Sequence, residues 1–278
     1  MEEPERMHAL VPRERCLIDE RFMTSITLVG AGGTGSHMAE GLARMHFALR
    51  QLGHQGLSVT VFDDDAYEPH NAGRQIMRWQ DVGVNKAHAT VERVNRMYGT
   101  AWIASPSRFV PNHNMLMGNI IITAVDGGRT RNELQRQFRQ KHAFEESRYQ
   151  SAHQDFSKTY YWLDLGNDER YGQVILGSSK TATCVEFNGP YPEDEPKGSC
   201  SMRDSLLKQD LFINQSVATA GLALLWDLFR RPRVERSMIF VNLKSHAMRS
   251  GFKPAPDVRP EKKRKPRKQR VRSATRQR

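Results

Sequence analysis

The chain is poor in cysteine. Cys16, Cys184 and Cys200 are the only three, and no two of them form a Cys-x-x-Cys pair. That spacing excludes a disulfide framework and a four-thiolate zinc site, so no zinc is expected. A reducing cytoplasm fits such usage. No run reaches the roughly 18 to 20 apolar residues of a membrane span. The acidic opening Met1-Glu-Glu-Pro-Glu-Arg6 has no signal-like apolar core behind it. A membrane partner is therefore not expected. Gly-x-x-x-x-Gly-Lys-Ser/Thr is missing as well, which argues against a P-loop ATPase. His46, His54, His70, His88 and His113 fall at no metal-ligand spacing, and there is no internal repeat.

Acidic residues are scarce in one place only. Residues 259–278 hold eleven Lys or Arg against Glu261 alone, whereas the rest of the chain carries 31 basic and 30 acidic residues. The net charge of +11 is thus a property of the tail and not of the folded body. From about Pro254 the chain is rich in Pro, Lys and Arg with almost nothing to bury, which reads as a disordered basic tail, 254–278. Nucleic acid is its natural polyanionic partner, and a purely solubilising tail is the ordinary alternative. Residues 1–253 read as the folded unit.

Within that unit, residues 26–29 are short, apolar and β-branched and end in glycine, which predicts a buried strand. Residues 34–52 predict a helix with Met38, Leu42, Met45, Leu49 and Leu52 on one face. Gly41 costs such a helix roughly 1 kcal/mol against Ala, and close packing on a sheet would account for it. Strands are predicted at 57–63, 101–103, 119–126, 160–165, 173–176 and 237–243, with Cys184 in a further β-like run at 182–187. Helices are predicted at 85–98, 130–141 and 212–229, the last with Phe212, Val217, Ala220, Leu224 and Leu228 near one face. Residues 142–157 and 188–199 read as loops. Strands alternating with helices predict an α/β fold, a doubly wound Rossmann-like sheet, mostly parallel, with an antiparallel extension toward the C-terminus.

The first strand runs into Gly30-Ala-Gly-Gly-Thr-Gly35. Gly30, Gly32 and Gly35 satisfy the dinucleotide fingerprint, in which backbone N–H groups approach a phosphate at a helix N-terminus. Asp63, 28 residues beyond Gly35, ends the second strand where a carboxylate can bond ribose hydroxyls. A run of three aspartates, 63–65, is also an ordinary solvated strand end. Arg74 has the fork geometry suited to phosphate; in isolation a surface Arg is simply solvated. Lys86 stands near a helix start, where a cation gains nothing from the helix dipole, so a phosphate explains it better than helix stability. Asp126 ends the 119–126 strand and can hold Mg²⁺ against phosphates; it can equally cap the next helix.

Taken together these segments resemble the ThiF/MoeB/HesA family, bacterial relatives of ubiquitin-activating enzymes. The resemblance is carried by Gly30–Gly35, Asp63-Asp-Asp65, Asn71-Ala-Gly-Arg-Gln75, Gly83-Val-Asn-Lys86 and Asp126-Gly-Gly-Arg-Thr-Arg-Asn132, in family order and spacing over about residues 24–135. A weaker likeness reaches about residue 243. Ser199-Cys-Ser201 and the segment 209–215 look most like the family members of plasmid-associated PRTRC cassettes. The resemblance implies ATP and Mg²⁺ as cofactors. Gly30, Gly32, Gly33, Gly35, Asp63 and Asp65 would hold the nucleotide, Asn71, Arg74 and Lys86 its phosphates, and Asp126 the metal. Arg129 or Arg131 would add charge. It further implies adenylation of the C-terminal carboxylate of a small ubiquitin-like or sulfur-carrier protein, a homodimer, and transfer of the acyl group to a cysteine, with Cys200 the candidate.

Three departures accompany the resemblance. The family's zinc Cys-x-x-Cys pairs are missing, its N-terminal arm arginine has only Arg13 and Arg15 as counterparts, and the usual glycine-rich run after Cys200 is not there. Two other readings use part of the same pattern. An NAD-dependent oxidoreductase employs Gly30, Gly32, Gly35 and Asp63 equally well and leaves Arg74, Lys86 and Asp126 unexplained. A non-catalytic ATP-binding module would serve a plasmid-associated system through its basic tail.

Overall fold

The computed structural model describes residues 23–111, 119–148, 161–178, 183–192, 209–231, 234 and 236–251. Cys16, Cys200, Arg13, Arg15 and the basic tail lie outside them. The elements run β1 (Thr24–Val29), α1 (Gly33–Gln51), β2 (Leu57–Phe62), α2 (Lys86–Tyr98), β3 (Ile103–Ser105), β4 (Ile120–Thr123) and α3 (Gly128–Arg148). They continue with β5 (Tyr161–Asn167), β6 (Tyr171–Ser178), α4 (Cys184–Asn188), α5 (Ile213–Arg230), β7 (Met238–Asn242) and β8 (Ala247–Gly251). Two 3-10 turns, Pro69–Gly73 and Trp79–Asp81, interrupt the passage from β2 to α2.

All strands join one eight-stranded sheet in the order β3-β2-β1-β4-β5-β6-β7-β8. The first five are parallel neighbours and the last three add antiparallel. The doubly wound sheet with an antiparallel extension is borne out. One layer, with α1, α2 and α5, buries Ile26, Leu28, Val59, Val61, Met38, Leu42, Leu163 and Leu225. Residues from α3 and α4 pack on the other face with Val29, Ile121, Trp162 and Ile175. Burying each such large side chain contributes roughly 1.5–3 kcal/mol. Among the described residues no helix is long and apolar enough to cross a membrane.

Several local expectations need correction. Residues 184–188 are helical, not β-like: Thr183 begins a capping box with Glu186, whose side chain accepts from Thr183 N at 2.8 Å, and local capping overrides β-branched propensity. Helix α3 runs on to Arg148 through residues expected in a loop, since a polar sequence without Gly or Pro can stay helical at a surface. Gly41 meets another helix and not the sheet, because an added Cβ would lie 2.0 Å from Leu222 Cδ1 of α5. Phe212 is 60% exposed and precedes α5. β8 was not expected; it pairs with β7 across the turn at 243–246.

The strand order places β1 between β2 and β4, so the chain leaves β1 for one side and returns to β4 on the other. That is the switch point of a doubly wound sheet, where a crevice opens beyond the carboxyl ends of the strands. Gly30 leaves β1 with φ +94°, a conformation that favours glycine. A Cβ on Gly35 would fall 1.9 Å from the Gly30 carbonyl oxygen, and only glycine lets α1 start so close to β1. Gly35→Ala is therefore expected to destabilise the fold by about 1–3 kcal/mol, read as a lower urea midpoint with unchanged m.

Candidate active site

A cleft of about 1440 Å³ opens at this switch point. Gly30, Gly32 and Gly33, then Asp63 and Asp65, then Asn71, Arg74 and Lys86, and finally Asp126 all line it. Of the residues singled out from the sequence, Gly35 stands behind the wall as a packing glycine. Cys200 falls outside the described residues.

Helix α1 has Gly32 as its N-cap and no side chain capping it. The first-turn N–H groups lack intrahelical partners, as in any helix, and an added Cβ on Gly32 would meet nothing within 4 Å. The loop is open to an anion.

Asp63 is held firmly. Its Oδ2 accepts from Ala31 N at 2.6 Å and its Oδ1 from Asp65 N at 2.9 Å, tying the glycine loop to the end of β2. A carboxylate has about four acceptor positions, so capacity for hydroxyl donors remains. Burial pushes its pKa above the ordinary carboxylate range, against those two hydrogen bonds and the nearby Lys86 charge. Asp63, Asp64 and Asp65 bring carboxylate oxygens within 4.8 Å of one another.

Lys86 has a protein partner, Asp65 Oδ2 at 2.9 Å, although the ammonium end lies on a nearly buried side chain and Asp65 on an exposed one. Its helix is capped by Asn85, whose Oδ1 accepts from His88 N and whose Nδ2 donates to the carbonyls of Asp63 and Asp65. Lys86 is thus aimed by the same turn that shapes the acidic cluster. Asn71 is buried and organises its 3-10 turn: its Oδ1 accepts from Glu68 N, and its carbonyl from the N–H groups of Arg74 and Gln75. The turn is pinned to α1 because Ile76 N donates to the buried Ser36 Oγ. Gln75 also lines the cleft, and its Oε1 is buried with no partner among the described residues. An acceptor so placed fits a ligand hydroxyl or a metal-bound water.

Arg131 is not the added surface charge that the sequence suggested. It is buried, with Nε donating to Asp164 Oδ1 at 2.7 Å, Nη1 to Gly127 O and Nη2 to Leu165 O. The same Asp164 oxygen accepts from Thr123 Oγ, which in turn accepts from Trp162 Nε1. Burial works against the Arg131 charge, but the Asp164 carboxylate outweighs it and holds the pKa above the ordinary value. The guanidinium also lies 5.1 Å from the Tyr191 ring, and burial followed by the Asp164 and Cys184 charges pushes the Tyr191 phenol upward. The bond to Gly127 O fixes the turn that carries Asp126. The motif contained Arg131, but only the fold reveals its partner 33 residues on.

Four further residues were not assigned to the site from sequence. Thr34, Asn167, Gln209 and Asn214 line the cleft, and the Thr34 hydroxyl lies 3.0 Å from Asn167 Oδ1 and 3.1 Å from Asn214 Oδ1. Thr34 stands within the glycine motif and Gln209 and Asn214 within the 209–215 segment, but only the fold brings them together from α1, β5 and the chain entering α5.

Residues 19–139 match the ThiF family. The ThiF-like stretch contains every cleft motif read from the sequence, and the resemblance is borne out over it. Among solved structures, E. coli MccB with MccA-N7isoASN aligns at TM-score 0.57 and 15% identity, covering 85% of this chain and 66% of that one. E. coli MccB with ATP gives 0.56 and 15%, covering 85% and 65%. PaaA, as selenomethionine protein, gives 0.55 and 12%, covering 91% and 77%. The chain therefore spans just under two thirds of MccB, and these likenesses show its fold. No curated protein matches it in sequence.

The buried pair generates a prediction. Removing one partner of such a pair leaves an uncompensated charge and costs about 3–5 kcal/mol. Arg131→Met and Asp164→Leu should each lose about that much in urea unfolding, while the double variant should recover most of it. Additive losses would show that the pair is not the source.

Proposed function

We propose that the chain is an ATP-dependent adenylating enzyme acting on the C-terminal carboxylate of a small ubiquitin-like or sulfur-carrier protein or peptide. One observation carries the reading. A dinucleotide-type glycine loop lies between Arg74 and Lys86, which follow β2, and Asp126, which follows β4, all on one cleft. An NAD-dependent oxidoreductase has use for the loop and Asp63 but none for the other three. The ThiF-family match supports the same choice, as does the fold shared with MccB, which was solved with ATP and with MccA.

In this reading the carboxylate, already ionised at pH 7, attacks the α-phosphorus of ATP. The new bond gives an acyl-adenylate, and the bond to pyrophosphate breaks. No general base is required, so positioning and electrostatics carry the rate. The glycine loop and the start of α1 hold the α-phosphate, and Asp63 the ribose. Arg74 and Lys86 take up charge on the departing pyrophosphate, Lys86 by exchanging its Asp65 partner for phosphate. The carboxylate of Asp126, with the 63–65 cluster nearby in the cleft, suits Mg²⁺, which supplies charge neutralisation on the phosphates when bound. Cys200 is the proposed acceptor: its thiolate attacks the acyl carbonyl of the adenylate, the acyl–phosphate bond breaks with release of AMP, and a thioester results; a homodimer is the proposed assembly. The segments 199–201 and 209–215 support placing the chain among ThiF-family proteins of plasmid-associated PRTRC cassettes. A cytoplasmic location fits three cysteines with no Cys-x-x-Cys pair.

Two experiments test this. Wild-type protein should bind ATP·Mg and not NAD⁺ by isothermal titration, and should catalyse ATP–pyrophosphate exchange with its carrier. Arg74→Ala, Lys86→Ala and Asp126→Ala should each reduce exchange by about 10²–10³. Exchange at the wild-type rate in all three variants would refute the assignment.

The tail is proposed as a separate polyanion-binding device on the folded unit. Deleting residues 259–278 should leave exchange intact and abolish salt-sensitive binding to DNA or RNA. Nucleic-acid affinity unchanged by the truncation would assign that contact to the folded body.

A further inference from the structure

The cleft contains a polar tie between the Arg74 turn, the glycine loop and the segment before α5. Arg74 Nη1 donates to Gln209 Oε1. The same Oε1 accepts from Asn214 Nδ2 at 3.3 Å. Asn214 is buried, and its Oδ1 meets the Thr34 hydroxyl at 3.1 Å and Asn167 Nδ2 at 3.3 Å. A Cβ on Gly33 would lie 2.6 Å from Asn214 Cγ, so the Asn214 amide is seated directly on the glycine loop. Three segments are thereby joined: the turn after β2, the glycine loop with α1, and the N-terminal end of α5. Their residues are separated by up to 180 positions.

Gln209 sits at the centre of this tie and acts only as an acceptor in it. A single oxygen receives both the guanidinium and the Asn214 amide. Its carbonyl is neutral. A carboxylate in the same place would make both hydrogen bonds and would also bring a negative charge into the cleft that holds the glycine loop and Arg74.

We propose that Gln209 is a positioning residue that sets the Arg74 guanidinium against the nucleotide's phosphates, and that its neutral amide is what allows a triphosphate beside it. The inference rests on the adenylation reading and extends it, because it makes the segment leading into α5 part of the phosphate-binding wall. The tie joins the 209–215 segment to the Arg74 turn and the glycine loop. Asn214 serves the same wall by closing the glycine loop from above, through Thr34 and Asn167.

Gln209→Glu and Gln209→Ala, in the full chain, separate this role from simple structural support. Titrations use ATP·Mg and adenosine as probes, with pyrophosphate exchange measured alongside. Glu keeps the acceptor atoms but places like charge against the phosphates, which is worth at least about ten-fold in affinity. It should weaken ATP by that factor or more and leave adenosine unchanged. Ala removes the tie without adding charge. It should lower exchange mainly through kcat, again with adenosine binding retained as proof of an intact fold. Equal ATP affinity in wild type and Glu variant would overturn the proposal. So would loss of adenosine together with ATP, since that pattern belongs to a general support of the cleft. A wild-type protein that binds no ATP would overturn the adenylation reading itself and this inference with it.

Discussion

Everything at the cleft depends on how closely one helix can begin beside one strand. The Gly30 carbonyl occupies the space that a Cβ on residue 35 would need, so α1 starts almost in contact with the end of β1. That approach turns the first-turn N–H groups toward the crevice between β1 and β4. It also puts Ala31 N within reach of Asp63, and Ser36 within reach of the turn that carries Arg74. The glycine loop is therefore more than an anion seat. It is the point to which the turns after β2 are fastened.

The back of the cleft is built on the opposite principle. Where the loop side uses backbone and small residues, the β4–β5 side uses a buried ion pair whose spare donors are spent on two carbonyls, Gly127 and Leu165. A guanidinium offers five donors in a fixed plane, and Arg131 uses that geometry to hold the Asp126 turn against the strand next door. Such a pair adds little net stability compared with apolar packing. Its value here is that it fixes one arrangement of the turn.

The sheet was legible in the sequence because buried parallel strands such as β4 (Ile120–Thr123) are short apolar runs cut by turn residues, and because the glycine loop announces the crossover. The cleft residues that could be read were those whose chemistry follows directly on a strand end: Asp63, Asp126, and Arg74 and Lys86 in their motifs. What could not be read was pairing across long separations. Lys86 looked like a cation awaiting an anion, yet Asp65 supplies one 21 residues earlier. Arg131 looked exposed, yet Asp164 takes it inward. Gln209 and Asn214 stood only in a segment likeness and Asn167 in none, since a lone amide is ordinary until the fold brings several together. The helix at 184–188 was misread because one capping box outweighs the β propensity of a five-residue stretch.

The change from parallel to antiparallel pairing at β5 divides the sheet into halves that fold on different terms. β5–β6 and β7–β8 are joined through short turns at 168–170 and 243–246, so these hairpins close small loops at low entropic cost. β1 finds β4 only by closing a loop of about ninety residues, as the Ser25–Asn119 hydrogen bonds show. Contacts of that separation slow folding. The cleft needs the parallel half, the β5–β6 hairpin and the start of α5 at once, because Thr34, Asn167 and Asn214 meet there. A chain emerging from the ribosome thus cannot close this wall until residue 214 is available. Closure of the wall then reports that β1 to β6 and the first turn of α5 are all in place.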